Sequence, residues 1–309
     1  MATEAELDQA AALLRHGGLV ALPTETVYGL CANALDPGAV ARIYEAKGRP
    51  PTSPLIVHVC SLEMARGLAA RWPAGAETLA VRYWPGPLTI VVEKREHVPD
   101  IVTAGLPTVG LRMPSHPVMI DVIRRAGVPL AAPSANPFMA LSPTTAAHVR
   151  LSMGRSVDLV VDGGACEVGI ESTVISLAGG QPVLLRPGII SRDQLEATLG
   201  EPVAIGLRPE GAHPSPGMHQ RHYSPKTPVI LTGGGRLPPG RGAYLRLGTA
   251  APAELEIAMP LDAAGYARSL YAALHKADEA GLEWIAVESP PLGAEWDAIR
   301  DRLKRAAGG

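Results

Sequence analysis

The feature that most restricts this chain is residues 22–59, LPTETVYGLCANALDPGAVARIYEAKGRPPTSPLIVHV, in which one short helix stands between two short apolar runs. The first run, Leu19 to Leu22, stops at Pro23, and the second, Leu55 to Val59, begins after Pro50, Pro51 and Pro54. Apolar runs this short, punctuated by proline, read as strands. Between them Asp36 suits an N-cap, Pro37 the first helical position and Gly48 the left-handed residue that ends a helix. This strand–helix–strand order gathers a hydroxyl-rich turn (Thr24, Thr26), two cations (Lys47, Arg49) and His58 around strand ends. Open α/β sheets bind ligands at such ends.

The same punctuation continues along the chain. Helices are predicted over 4–15, from Ser61 to about Arg71, over 76–83, over 116–126 with Ser115 as cap, and from Ser142-Pro143 to about Arg150. Ser191-x-x-Gln194 is a capping box for one more. Strands are predicted over 88–92, 108–112, 130–132 and 159–161, and a hairpin-like pair over 173–176 and 183–185. Helical crossovers mixed with hairpin-like pairs predict an α/β fold on a mixed, twisted open sheet for residues 1–205. From Gly206 the chain turns rich in Pro, Gly and His without periodicity, which predicts a linker or lid over 206–227. Residues 228–309 read as a smaller, Rossmann-like α/β domain, with strands near 229–231, 243–247 and 284–287 and helices near 264–280 and 295–306. The GGGR of that domain precedes Pro238-Pro239 instead of a helix, so it is a poor dinucleotide fingerprint.

Composition narrows the class further. Hydrophobic residues make up 47% of the chain and aromatic ones 4%, so the core must be aliphatic. The formal net charge is −2, with 16 Lys+Arg against 19 Asp+Glu in residues 1–205 and 12 against 11 beyond. Neither part is a polyelectrolyte binder, and nucleic-acid contact would be local and weak. Cys31, Cys60 and Cys166 are widely spaced, as free thiols of a reducing compartment would be. No apolar run reaches membrane-spanning length and no signal-peptide pattern opens the chain, so no membrane association and a cytoplasmic location are expected.

Read in order, PTETVYGL, KGRP followed by PLIVHV, WPGPLT, VGLRMP, APSAN followed by SPT, GIESTV and LLRPG resemble the YrdC-like threonylcarbamoyl-adenylate synthase family. SPGMHQRHYSP, with a further domain behind it, resembles the linker of the long form of that family. The resemblance implies synthesis of L-threonylcarbamoyl-adenylate and pyrophosphate from L-threonine, bicarbonate or CO2, and ATP with Mg²⁺. It also implies a downstream complex that passes the threonylcarbamoyl group to adenosine 37 of ANN-decoding tRNAs.

Resemblance also distributes the candidate residues. Lys47, Arg49, Ser53, Thr108, Ser134, Ser142, Arg186 and Tyr223 would contact ATP, with Lys47 and Arg49 as the catalytic cations on its phosphates. Guanidinium forks suit phosphate oxygens, and lysine adds a mobile point charge. Thr26, His58, Arg112, Ala132 and Ser172 would form the L-threonine pocket, Arg112 gripping the carboxylate; Glu171 is a candidate charge partner. No protein metal site is expected, since Mg²⁺ travels on ATP. Opening of the 206–226 segment is expected to limit turnover or product release.

Two departures from the family pattern stand out. PFMAL (137–141) replaces a small, Ser-Gly-containing run, and His219 stands where lysine is usual. Two other readings stay open: the same chemistry on a different amino acid, and a double-stranded-RNA-binding module. Carbamoylation as in the homologous domain of hydrogenase-maturation proteins would bring zinc-finger cysteines, and three cysteines are too few. Lid support, partner binding and dimerisation are all open for the C-terminal domain.

Overall fold

The computed structural model describes residues 2–206, 223–233, 237–248 and 250–308. The first unit contains α1 (Glu4–Arg15), β1 (Val20–Leu22), β2 (Gly29–Asn33), α2 (Pro37–Lys47), β3 (Ile56–His58) and α3 (Leu62–Leu68). It continues with α4 (Ala74–Tyr83), β4 (Leu88–Glu93), α5 (Asp100–Thr103), β5 (Thr108–Arg112), α6 (Pro117–Ala126) and β6 (Leu130–Ala131). It closes with α7 (Ala146–Met153), β7 (Leu159–Val160), β8 (Thr173–Ser176), β9 (Val183–Arg186), α8 (Arg192–Leu199) and β10 (Ala204–Ile205). The second unit holds β11 (Val229–Thr232), β12 (Gly242–Arg246), β13 (Leu255–Ala258), α9 (Ala263–Glu279), β14 (Trp284–Glu288) and α10 (Asp297–Ala306).

The expected mixed sheet is present. Ten strands run in the order β10-β9-β8-β4-β5-β3-β6-β2-β1-β7. β3 and β5 are parallel, as are β4 and β8, while β4–β5, β3–β6 and β8–β9 are antiparallel. The second sheet, β11-β14-β12-β13, is parallel throughout.

Local chemistry explains the elements that position the site. Asp36 accepts from the amides of Gly38 and Ala39, and α2 ends at Gly48 in the left-handed region, φ +60°. Both halves of the Ser191–Gln194 capping box form. Two caps differ from expectation. His116, not Ser115, caps α6, because the helix begins at Pro117 and the Val118 amide donates to His116 Nδ1. Thr145, not Ser142, caps α7, because Ser142 Oγ donates to Glu171. Four of these elements were missed: β2, α5, β10 and β13. In GLCAN of β2, the first four residues are buried and alternation is lost, so periodicity gave no signal. The residues 206–227 expected as a lid lie outside the described residues, except Gly206 and 223–227.

The two units share a core. Val27, Leu141 and Ile170 of the first pack in one cluster with Leu270, Tyr271, Ile299 and Leu303 of the second. The seam is close enough to need glycine at 169. Its φ is +79°, and an added Cβ would lie 2.5 Å from Ala267 O and from Arg268 Cα of α9. Arg268 Nε donates to Glu167 O at 2.7 Å, and the rings of His148 and His275 stack across the seam at 4.0 Å.

Candidate active site

A cavity opens where β2, β3, β5 and β6 end. Its lining brings together Thr26, His58, Arg112, Ala132 and Ser172 with Arg49, Ser134, Arg186 and Tyr223. Nine of the thirteen candidate residues thus face one space.

The turn after β1 is tied by its own hydroxyls. Thr24 Oγ1 accepts from the amides of Thr26 and Val27 and donates to Val27 O at 2.7 Å. With that proton committed, the 2.8 Å contact between the two threonine hydroxyls is a donation from Thr26. The lone pairs of Thr26 Oγ1 are then left for a ligand donor. On β3, His58 is buried and its Nδ1 has no partner. Burial, followed by the neighbouring Arg112, lowers its pKa to about 3, so it is a neutral imidazole. Register pairs it with Arg112 of β5 across the parallel ladder.

Arg112 is buried beside an equally buried acid. Nη2 stands 2.7 Å from Glu25 Oε1, an ion pair without hydrogen-bond alignment, and Nε donates to Gly86 O at 3.3 Å. Nη1 has no hydrogen-bond partner among the described residues. A guanidinium so braced can offer that remaining edge to a carboxylate. Arg49 donates from Nη2 to Ser53 Oγ at 2.8 Å and to Pro54 O at 3.1 Å, while its buried Nε has no partner. Burial lowers its pKa to about 10, so it keeps its charge. Ser53 is therefore the brace of Arg49. Phe138, from the unusual 137–141 run, puts its ring 5.9 Å from the Arg49 guanidinium carbon.

On the opposite wall Arg186 donates from Nε to Ser172 O and from Nη2 to Ser172 Oγ, both at 3.1 Å. Ser172 Oγ also meets Thr89 Oγ1 at 2.8 Å. Glu171 receives Ser142 Oγ at 2.6 Å, Tyr271 Oη at 3.0 Å and Arg302 Nε at 2.7 Å. Burial disfavours its charge, but Arg302 and Arg186 hold its carboxyl below the usual range.

Four candidates lie off the cavity lining. Lys47 donates to the carbonyls of Ser134, at 2.5 Å, and of Asn136. Burial, then the Arg49 charge, holds its ammonium well below the ordinary lysine pKa. Ser53 and Ser142 serve Arg49 and Glu171 as described. Thr108 lines a second cleft with Thr89, Val91, Gly110 and Val174 on the sheet face, and Ile56 is common to both spaces. His219 lies outside the described residues.

Sequence reasoning missed Arg302 and Tyr271, which come from the second domain. The signal existed: Ile299, Arg302, Leu303 and Ala306 form the buried stripe of α10, so an arginine stands where helical spacing calls for an apolar residue. Among the described residues no group of three His, Cys, Asp or Glu side chains converges on a metal, and no helix is long and apolar enough to cross a membrane.

The family model Sua5_yciO_yrdC, described as Telomere recombination, matches residues 12–188. The model described as Threonylcarbamoyl-AMP synthase, C-terminal domain, matches residues 190–308. The chain is 42% identical to the threonylcarbamoyl-AMP synthase of Pyrococcus abyssi, over 97% of this chain and 93% of that one. It is also 42% identical to that of Bacillus subtilis, over 98% and 93%. The crystal structure of P. abyssi Sua5 complexed with L-threonine superposes with a TM-score of 0.92 at 39% identity, covering 99% of this chain and 95% of that one. HypF of T. kodakarensis, at 20% identity and a TM-score of 0.53 over 60% of this chain, shares the fold alone.

Proposed function

This chain belongs to the Sua5/YciO/YrdC family, in its two-domain form, and from that membership we infer that it is a threonylcarbamoyl-AMP synthase. The observation that carries this reading to particular residues is the convergence of Arg49, Arg112 and Arg186 with the neutral His58 on one cavity. We propose that L-threonine lies at its inner end. Arg112 takes the carboxylate through Nη1, Thr26 accepts from the amine or hydroxyl, and His58, Ala132 and Ser172 complete the pocket. Nδ1 of His58, unpartnered and uncharged, suits a ligand donor.

ATP extends from Arg49 and Arg186 past Tyr223, with its nucleoside toward the cleft that contains Thr108. Ile56, shared by the two spaces, supports one continuous ligand path. Ser134 and Ser142 flank the phosphates, and Ser53 acts through Arg49. Phosphate oxygens would draw the Lys47 ammonium from the Ser134 and Asn136 carbonyls and stabilise a charge that burial disfavours. The ATP phosphates would ligate Mg²⁺, which would offset their charge.

The reaction then needs no protein nucleophile. The deprotonated amine of threonine attacks CO2: the N–C bond forms as one C–O π bond opens onto oxygen, and the nitrogen releases a proton to solvent, which leaves a carbamate. A carbamate oxygen attacks the α-phosphorus in line, the bond from that phosphorus to the β-phosphate bridging oxygen breaks, and pyrophosphate leaves with the electron pair. The protein contributes positioning, fixed positive charge and exclusion of water. The product serves a tRNA threonylcarbamoyl-transfer complex, and a cytoplasmic site of action follows from those partners.

The test is ATP-dependent pyrophosphate release with each amino acid in turn, in bicarbonate buffer with Mg²⁺. Release with L-threonine and bicarbonate alone is expected, with loss in Arg49→Ala. Release with another amino acid would keep the chemistry and move the substrate; release with none would sink the assignment.

A further inference from the structure

The second domain sends one charge to the wall of the cavity. Arg302, 1% exposed, sits on α10, and its Nε meets Glu171 Oε2 at 2.7 Å, with Nη2 3.4 Å from Glu171 O. Its guanidinium carbon lies 5.2 Å from the ring centre of Tyr223, which lines the same cavity. Nη1 is held by Asp301 at 2.8 Å, and Asp301 in turn binds Arg305. Glu171 itself lines the cavity, 7% exposed, next to Ser172. Its other neighbours are the hydroxyls of Ser142 and Tyr271 and the charge of Arg186.

A buried carboxylate in the wall of a polyphosphate site is a liability. It repels the ligand and competes for the cations that should grip it. We propose that Arg302 is a positioning residue of the active site: it neutralises Glu171 from the second domain, so that the cavity stays electropositive and Ser142, Ser172 and Tyr223 hold their places around the nucleotide. This rests on the assignment of the cavity to ATP. It gives the C-terminal domain a function in the reaction itself. Tyr271 of α9 fixes the same carboxylate, so both helices of the second domain converge on one residue of the first.

The chemistry separates charge compensation from mere packing. Pyrophosphate release is measured against ATP concentration for the full-length protein and for Arg302→Met, Arg302→Lys, Glu171→Gln and the double variant Glu171→Gln/Arg302→Met. Leaving one charge of a buried pair behind should raise the ATP KM of Arg302→Met by about tenfold or more, with a smaller rise in Arg302→Lys. The double variant, which leaves no uncompensated charge, should recover most of that loss, and Glu171→Gln alone should lower the ATP KM. An unchanged ATP KM in folded Arg302→Met, or a double variant no better than Arg302→Met, would overturn the proposal. So would a rise in ATP KM in Glu171→Gln, a nearly isosteric variant that remains informative even if Arg302→Met does not fold. Arg49→Ala serves as the reference. If it leaves the ATP KM unchanged, the cavity assignment has failed; if it raises it while Arg302→Met does not, only the role of Arg302 has failed.

Discussion

At the scale of single residues, the cavity is a set of braced cations, and each brace makes a prediction. Arg112 is pinned by Glu25 and Gly86. Arg112→Ala should raise the L-threonine KM strongly and also lower thermal stability, since truncating one partner of a buried charge pair costs about 3–5 kcal/mol. Pyrophosphate release against threonine concentration, with a thermal melt beside it, checks both; an unaltered threonine KM would remove Arg112 from the threonine pocket. His58, which is buried, and His148, which is half-buried, give a pH dependence. Burial holds His58 at about 3, and burial together with His275 holds His148 at about 4, against roughly 6.5 in an unfolded chain. Between those values the unfolded chain binds protons that the native one refuses, so stability falls as pH drops from about 6.5. Melting temperature against pH should show that decline, and His148→Gln should flatten it; a variant slope equal to the parent's would mean that His148 is not held neutral.

Much of this residue scale was legible in the sequence. Nine of the thirteen candidate residues line the cavity, because motifs such as GIESTV and VGLRMP carry their chemistry in fixed order. The partners of those residues were not legible. Glu25 with Arg112, Ser53 with Arg49 and Ser142 with Glu171 are side-chain choices made in three dimensions. Ser142 looked like a helix cap from Ser-Pro alone, and the nearby carboxylate outcompeted that role.

At the scale of elements, punctuation predicted well and uniform burial predicted poorly. α2, with its Asp-Pro start and Gly stop, and the Ser191 capping box appear as expected. β2 was hidden because most of its residues are buried, and β13 because Leu255–Ala258 is short and half exposed. The element contact that matters most is α9 against Gly169. Gly169→Ala would drive a methyl into the backbone of Ala267 and Arg268 and strain a left-handed residue. It should lower the melting temperature and raise the ATP KM together, because the same displacement loosens Tyr271 and Arg302 from Glu171. Gly48→Ala, also left-handed but with open space around its Cβ position, is the control: it should cost only about 1 kcal/mol. Equal effects of the two substitutions would deny the seam any special role.

At the scale of the whole molecule, the two sheets are distinct but their cores are not. Val27, Leu141 and Ile170 belong to the apolar cluster of the second domain. Domains that share a core should unfold in one transition. Trp72 and Trp84 report on the first domain and Trp284 and Trp296 on the second. Variants that keep only one pair should give the same urea midpoint, whereas separated midpoints would mean that the seam is weaker than its packing implies.

The placement of Arg302 bears on how such a chain can be cut and recombined. Glu171 is answered by a charge 131 residues further along. The catalytic half is therefore not a portable cassette. Severed near residue 206, or spliced to a homologue's tail, it would keep its motifs yet lose the Arg302 charge, leaving Arg186 as the remaining cation beside Glu171. A hybrid would work only if the incoming tail brought a cation to the same seat and a helix able to lie against Gly169. A change on one side of the seam therefore bears on which changes the other side can accept.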